Sequence, residues 1–289
     1  MSLKEYLRRI VPDDIYLKYK FYKRMKTRLD LDNPKTFNQK LQWLKLYNRN
    51  PEYTKMVDKY EVKKYISEKI GKEYVIPTIG VWDSPEDIDF DKLPDKLVLK
   101  CNHNSGLGMC ICQDKTSLDI NKVKEDLKKG LAENYYWNGR EWPYKNVKPR
   151  IIAEKYIEDE TTHELTDYKF FCFDGYVDNV MIVVDRCLGN PKYYHFDRNW
   201  NLCKNYNRLC RSLPSDFTIP KPDKIDEMFE LASKMSIGIP HVRIDFYLVN
   251  NKIYFGEYTF FSESGFDTGY DEESDLHLGS LIKLPTKFS

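Results

Sequence analysis

The chain has 289 residues, 46 of them basic and 45 acidic, for a formal net charge of +1, so no global field draws it to nucleic acid or to an anionic membrane. Hydrophobic residues make up 41% and aromatics 15%, enough for one large domain or for two to three subdomains with linked cores. No apolar stretch exceeds five or six residues and the seven cysteines show no paired spacing, which excludes a membrane-spanning helix, a signal peptide, a zinc site and a disulfide framework, and predicts a cytoplasmic protein.

From the N-terminus, Leu3 to Leu29 is helix-like, locally basic and rich in Tyr and Lys; it reads as a solvated helical face or as a surface for an acidic partner. Thr36 precedes Phe37, Leu41, Leu44 and Tyr47 at helix spacing, with Asn-Pro just upstream as a break. Tyr60 to Ile70 is a second amphipathic helix, stopped by Gly71. Strands are expected from Val75 to Val81, Leu97 to Lys100 and Met109 to Cys112, then a helix from Asp119 to Asn134. Trp137 to Lys148 is a loop whose Tyr136, Trp137, Trp142 and Tyr144 stack on a sugar, act as a lid, or pack a core. Further strands follow at Ile151 to Ile157, Tyr168 to Phe173, Tyr176 to Val184 and Tyr193 to Phe196, then a helix from Lys224 to Met235. No repeat or low-complexity segment interrupts this order, which gives an α+β protein with mostly antiparallel sheets.

Two strand-like runs near the C-terminus, His241 to Val249 and Ile253 to Thr259, carry charges at alternating positions that would otherwise be apolar. If Asn250, Asn251 and Lys252 form the loop, Asp245 lies opposite Glu257 and Arg243 opposite Thr259, all on one face. Two facing carboxylates repel unless a cation lies between them, so the hairpin points to a divalent metal.

Other charges end apolar strands in the same way. Lys100 needs an anion to offset its desolvation. The small-residue loop from Cys101 to Gly108 that follows turns backbone N–H groups toward a phosphate, or is simply a hairpin turn. Glu154 either accepts from a heterocycle's amino group or reaches solvent at a strand end. Asp167 and Lys169 contact a ribose and a phosphate, or form a local ion pair. Arg186 is a weaker example. The five histidines are scattered and read as structural, with His103 inside the glycine loop the one to watch.

Taken together, these residues resemble the ATP-grasp superfamily, and its TupA-like branch in particular. The branch is associated with surface polysaccharide and teichuronopeptide biosynthesis. The resemblance runs over Lys35–Asn38, Lys40–Trp43, Asp58–Tyr60, Lys100–His103, Asp167–Phe173 and Phe255–Glu257. It implies two α+β subdomains clamping a nucleotide, residues 73–153 and 154–289, behind a helical segment at 1–72. It implies that Lys100 touches ATP phosphates under a loop of Asn104, Ser105 and Gly106. Glu154 with Lys155, Tyr156 and Ile157 would hold adenine, and Asp167 the ribose. Asp245, Glu257 and Thr259 would bind Mg²⁺, with Arg243 and Lys169 at the transferred phosphoryl group. Thr259 stands where many relatives have Asn, and Gln39 where the branch usually has an acid.

The activity so implied is ATP-dependent ligation of an amine or amino acid to a sugar carboxylate, a uronic acid, through an acylphosphate, by a protein associated peripherally with a glycan-assembly complex. Two other readings stand beside it. A glycosyltransferase of the same pathway would use Asp87–Asp89 or Asp89–Asp91 as its Asp-x-Asp pair. A noncatalytic nucleotide-binding protein would carry Thr259 as the mark of a degraded site.

Overall fold

The computed structural model describes residues 9–161, 165–185 and 189–287. In chain order its regular elements are helices α1 (Asp13–Met25), α2 (Phe37–Tyr47), α3 (Glu52–Val57) and α4 (Val62–Lys69), then strands β1 (Thr78–Trp82), β2 (Leu97–Cys101) and β3 (Met109–Cys112). Helices α5 (Ile120–Ala132) and α6 (Tyr136–Gly139) precede strands β4 (Ile151–Lys155), β5 (Asp167–Phe173), β6 (Tyr176–Val184) and β7 (Lys192–Phe196). Helices α7 (Arg208–Ser212) and α8 (Ile225–Ser236), the hairpin β8 (Val242–Val249) and β9 (Lys252–Thr259), and helix α9 (Glu272–Leu281) complete the chain. Arg186 and His163 lie outside the described residues.

Two compact units result, one from Pro51 to Glu160 and the other joining the chain up to Asn50 with that from Thr161 on. The sequence reading drew its boundaries after residues 72 and 153. The difference has a local cause. Helices α1 and α2 pack with the C-terminal half, whereas α3 and α4 pack with the first sheet's unit, so the helical N-terminal segment is shared between two cores.

The Pro51–Glu160 unit holds an antiparallel sheet in the order β1-β4-β2-β3. Leu97, Leu99, Cys101, Ile151 and Ala153 form one face and bury against Val123 and Leu127 of α5. Those strand residues alternate, as a sheet covered on that side requires. Val98, Lys100 and Glu154 point to the other face, because Val98 pairs with Glu154 in the register. The first strand starts at Thr78 rather than Val75, just after Pro77, which has no N–H for a ladder but whose carbonyl accepts from the Lys155 amide at 3.0 Å.

The second unit is built on an antiparallel sheet in the order β7-β6-β5-β8-β9. Helix α8 buries Ile225, Met228, Phe229, Ala232 and Met235, a stripe at helical spacing. Its Phe229 meets Phe170 of β5 edge-on at 5.0 Å. Phe170 pairs with Ile244, so the even-numbered residues of β5 and β8 face this helix. The odd-numbered ones, Lys169, Phe171, Arg243 and Asp245, share the opposite face.

Helix α2 opens with a capping box in which Thr36 and Gln39 exchange hydrogen bonds, worth about 1 kcal/mol for the cap. A glutamine closes such a box as well as a glutamate does, which accounts for Gln39 at a position where an acid was expected. Six free cysteines lie among the described residues, four of them buried, and no disulfide joins them. No helix there is long and apolar enough to cross a membrane.

Candidate functional site

The β8–β9 hairpin carries the densest cluster of charge. Asn250 and Asn251 form a two-residue turn, both with positive φ (49° and 57°), and Val249 pairs with Lys252. Both central residues left-handed is the arrangement that matches the twist of the strands, and Asn tolerates it best after Gly. The sequence reading placed Lys252 inside a three-residue loop. The turn is one residue shorter, and a bulge between Asp245 and Phe246 in the ladder takes up the difference. Asp245 therefore pairs with Glu257, and Arg243 with Thr259, as the longer loop also required.

Across the sheet, Lys169 of β5 pairs with Asp245 from the other side. The Asp245 carboxylate is fully buried and both oxygens are engaged. Arg243 donates from Nε to Oδ1 at 2.7 Å and from Nη2 to Oδ2 at 2.8 Å, and Lys169 ion-pairs with Oδ2. Lys169 also lies 3.3 Å from Asp167. Burial alone would push the Asp245 carboxyl up, but Arg243 and Lys169 outweigh it and hold the group below the usual carboxylate range. Arg243 Nη2 also reaches Glu257 at 3.5 Å and the Thr259 hydroxyl at 3.0 Å. The cation between the two facing carboxylates is thus a guanidinium. Glu257 is the open member, its side chain 39% exposed against 1% for Asp245.

Among the described residues no three His, Cys, Asp or Glu side chains gather as a metal site. Asp245, Glu257 and Thr259 offer hard oxygen donors, two of them carboxylates. That set fits Mg²⁺, which takes few protein carboxylates and fills its shell with phosphate and water, and it does not fit zinc.

In the other unit, Lys100 and Glu154 meet at 2.5 Å on the open sheet face. The second oxygen of Glu154 takes Lys63 of α4 at 2.7 Å. Burial raises the Glu154 carboxyl, yet the two ammonium groups together bring it below its ordinary value. Two lysines around one carboxylate leave one net positive charge, which suits an anion. Sequence reasoning missed Lys63, because a lysine on an amphipathic helix looks like solvated surface.

The loop that follows Lys100 is partly fixed and partly open. Asn104 is buried, with its amide donating to the Gly130 carbonyl at 3.0 Å and its carbonyl accepting from Lys59 at 2.7 Å. Ser105 and Gly106 are exposed, and Gly106 (φ 81°) has open space where a Cβ would stand. His103 is held by Asn102 and by the Glu133 carbonyl, a structural role. The Lys155 amide is spent on Pro77, and the Tyr156 hydroxyl bonds Gln113 and Glu158; Ile157 is half-buried just past the end of β4.

Two other sequence candidates resolve into packing. Tyr135 meets Tyr144 edge-on at 4.9 Å, Tyr136 meets Trp137 at 4.8 Å, and Trp142 tilts against Tyr53 at 6.0 Å. Asp89 caps a short 3-10 turn through the Asp91 amide and pairs with Lys92.

A feature that the sequence did not reveal lies beside the hairpin. Glu263, Ser264 and Gly265 all have left-handed backbone (φ 48°, 53° and 62°), a costly arrangement for the first two. Helix α2 holds it in place. Gln42 donates from Nε2 to the carbonyls of Ser264 (3.0 Å) and Gly265 (2.6 Å), and Lys45 reaches the Ser264 carbonyl at 2.7 Å. This segment walls a cavity of about 540 Å³ whose lining also includes Phe171 and Arg243 of the charged sheet face.

A lysine-bearing sheet that runs into a glycine loop, and a second sheet with paired carboxylates and an arginine, are the parts of an ATP-grasp enzyme, an ATP-dependent ligase. The sequence profile of the TupA-like ATP-grasp family matches residues 39–283. The chain belongs to that family.

Solved structures similar to it include D-alanine–D-alanine ligase from Helicobacter pylori, at 14% identity and a TM-score of 0.48, over 86% of this chain and 69% of that one. Another is D-alanine–D-alanine ligase from Bacillus anthracis complexed with ATP, at 17% identity and a TM-score of 0.38, over 71% and 54%. Phosphoribosylamine–glycine ligase from Thermotoga maritima follows at 14% identity and 0.39, over 72% and 48%. The chain thus spans between 48% and 69% of the length of these relatives. No curated protein matches it.

Proposed function

We propose that this chain is a carboxylate–amine ligase of surface polysaccharide biosynthesis, joining an amine to the carboxylate of a uronic acid at the expense of ATP. The observation that carries the reading is the row Lys169, Asp245, Glu257, with Arg243 beside it. These charges are costly to bury and pack no core, so their use is electrostatic. The surface-polysaccharide assignment rests on the resemblance of the chain to the TupA-like branch.

In this scheme an oxygen of the sugar carboxylate attacks the γ-phosphorus of ATP, the bond to the ADP oxygen breaks, and an acylphosphate forms. The amine then attacks the acyl carbon, phosphate leaves, and the amine gives up a proton. Arg243 and Lys169 would supply the positive charge that stabilises the transferring phosphoryl group. Lys100, freed from Glu154, would neutralise an ATP phosphate under the Asn104–Gly106 loop. Glu154 and residues 155–157 are assigned to adenine and Asp167 to the ribose. Asp245, Glu257 and Thr259 would hold Mg²⁺, which when bound offsets phosphate charge.

A coupled assay with MgATP, glucuronate or galacturonate, and an amine tests this. ADP release that requires both the sugar acid and the amine is the expected result, and Asp245→Asn should abolish it without loss of fold. Release of AMP and pyrophosphate would sink the acylphosphate route.

A further inference from the structure

Helix α1 carries a surface that neither the core nor the proposed chemistry uses. Leu17 and Phe21 bury its inner side at 0% and 2% exposure, with Phe21 against Phe266 at 6.3 Å. Its outer side inverts the usual order. A solvated helix puts charge at the centre of its outer face and apolar groups toward the core. Here Ile15, Tyr19 and Tyr22, spaced i, i+4, i+7, form the centre line and are 56%, 65% and 60% exposed. Lys18 and Lys23, both exposed, lie roughly 70° to either side of that line. Lys26, whose amide caps the helix on the Tyr22 carbonyl at 3.0 Å, is exposed just beyond its end. Ile10, a little upstream, is exposed as well.

Charge on this surface has one sign although the whole chain is nearly neutral. From Ile15 to Leu29 there are six bases, Lys18, Lys20, Lys23, Arg24, Lys26 and Arg28, and no acid. Lys20 turns back over the rings of Tyr16 and Phe266, at 5.8 and 4.9 Å. Lys18 stands 3.9 Å from Asp14, both side chains well exposed, and Asp13 is taken by Arg49 at 3.0 Å. The acids of the first turn therefore leave the basic character of the rest intact.

An apolar centre line is not the pattern of a merely solvated face, and among acidic partners it selects a bilayer. Tyrosine rings settle at the level of lipid headgroups, and lysine chains lie along apolar surface while their ammonium groups reach anionic phosphates. Protein interfaces are instead poor in lysine, and three side chains on one convex helix fall well short of the ~800 Å² that a specific protein partner covers on each side.

We propose that α1 is an interfacial helix that lays Ile15, Tyr19 and Tyr22 into the surface of an anionic bilayer, with Lys18, Lys23 and Lys26 on the lipid headgroups. None of these residues serves ATP, the metal or the phosphoryl group, so the surface is independent of the ligase reading. Attachment is reversible, because one short stripe with a few bases binds a membrane without anchoring in it.

Cosedimentation of the full chain with vesicles tests this, with equal parts phosphatidylcholine and phosphatidylglycerol beside phosphatidylcholine alone. Binding to the anionic vesicles should be tighter by roughly tenfold or more and should weaken at high salt. The variant Tyr19→Ser/Tyr22→Ser keeps every charge, and Lys18→Gln/Lys23→Gln/Lys26→Gln keeps every ring. Each should lower binding roughly tenfold, at an unchanged Tm because all five positions are exposed. Lys55→Gln/Lys64→Gln, on exposed lysines of the other unit, should bind as the unaltered chain does. No binding to anionic vesicles, equal binding to both kinds, full binding by either α1 variant, or an equal loss in the Lys55/Lys64 variant would each overturn the proposal. The first of these outcomes would leave the stripe to an acidic protein.

Discussion

Asn38 and Asp267 hold each other across 229 residues of sequence: the Asp267 amide donates to Asn38 Oδ1 at 2.8 Å, and Asn38 Nδ2 returns a bond to the Asp267 carbonyl at 3.1 Å. The backbone N–H and Nδ2 of Asn38 also donate to Oδ1 of Asp275 in α9, at 2.9 and 3.1 Å. An N-terminal helix is thereby a structural part of the wall in front of Arg243.

Replacing Asn38 by alanine removes three side-chain hydrogen bonds from a buried position. The expected loss is roughly 2–4 kcal/mol at about 1 kcal/mol per bond plus unsatisfied partners. Thermal denaturation should show it as a lower Tm. An unchanged Tm would contradict the bracing role.

Lys100→Met should raise the KM for ATP roughly tenfold or more, the scale of one charge-assisted phosphate contact. Stability should barely change, because Lys63 still pairs with Glu154 at 2.7 Å. Steady-state kinetics and a melting curve of the same preparation check the two halves.

Lys169→Met leaves Asp245 with both Arg243 contacts and removes one of the two cations assigned to the phosphoryl group. A fall in kcat of roughly a hundredfold is expected, the cost typical of losing one preorganised electrostatic contact. Rescue by Lys169→Arg would mark the effect as one of charge. Full activity in Lys169→Met would remove this lysine from the chemistry.

His195 and His241 are fully buried, and burial brings both from the ordinary 6.5 down to about 3. Below pH 6.5 the unfolded chain takes up protons at these rings that the folded chain refuses. The unfolded state therefore binds more protons, and stability falls as pH drops from about 6.5 toward 3, by about 1.4 kcal/mol per pH unit for each ring. NMR should show both rings neutral at pH 5; titration of either near 6.5 would refute their burial.

Much of the hairpin was legible in the sequence because period-2 alternation makes an inward charge conspicuous at Arg243, Asp245 and Glu257. The alternation does not report a bulge, so the turn was read one residue long. Lys63 was hidden, since helical spacing cannot distinguish a lysine aimed at Glu154 from one aimed at water. The roles of Asn38 and Gln42 were hidden for another reason. Their partners lie more than two hundred residues away: Asp267 and Asp275 for Asn38, and for Gln42 the carbonyls of Ser264 and Gly265, in a left-handed run that its residue types do not advertise.

The bulge in the hairpin makes one arm a residue longer than the other between the turn and the Asp245–Glu257 pair. The arm beginning at Lys252 therefore has slack that the arm ending at Val249 lacks. Deleting Gly256 removes the surplus residue itself, and Ile253, Tyr254 and Phe255 keep their faces while Asp245 still meets Glu257. Deleting Leu248 instead leaves the arms unequal by two, and no single bulge can realign the carboxylates. Length variation in this hairpin is thus tolerated on one strand only, and related chains that differ here by one residue should differ in β9.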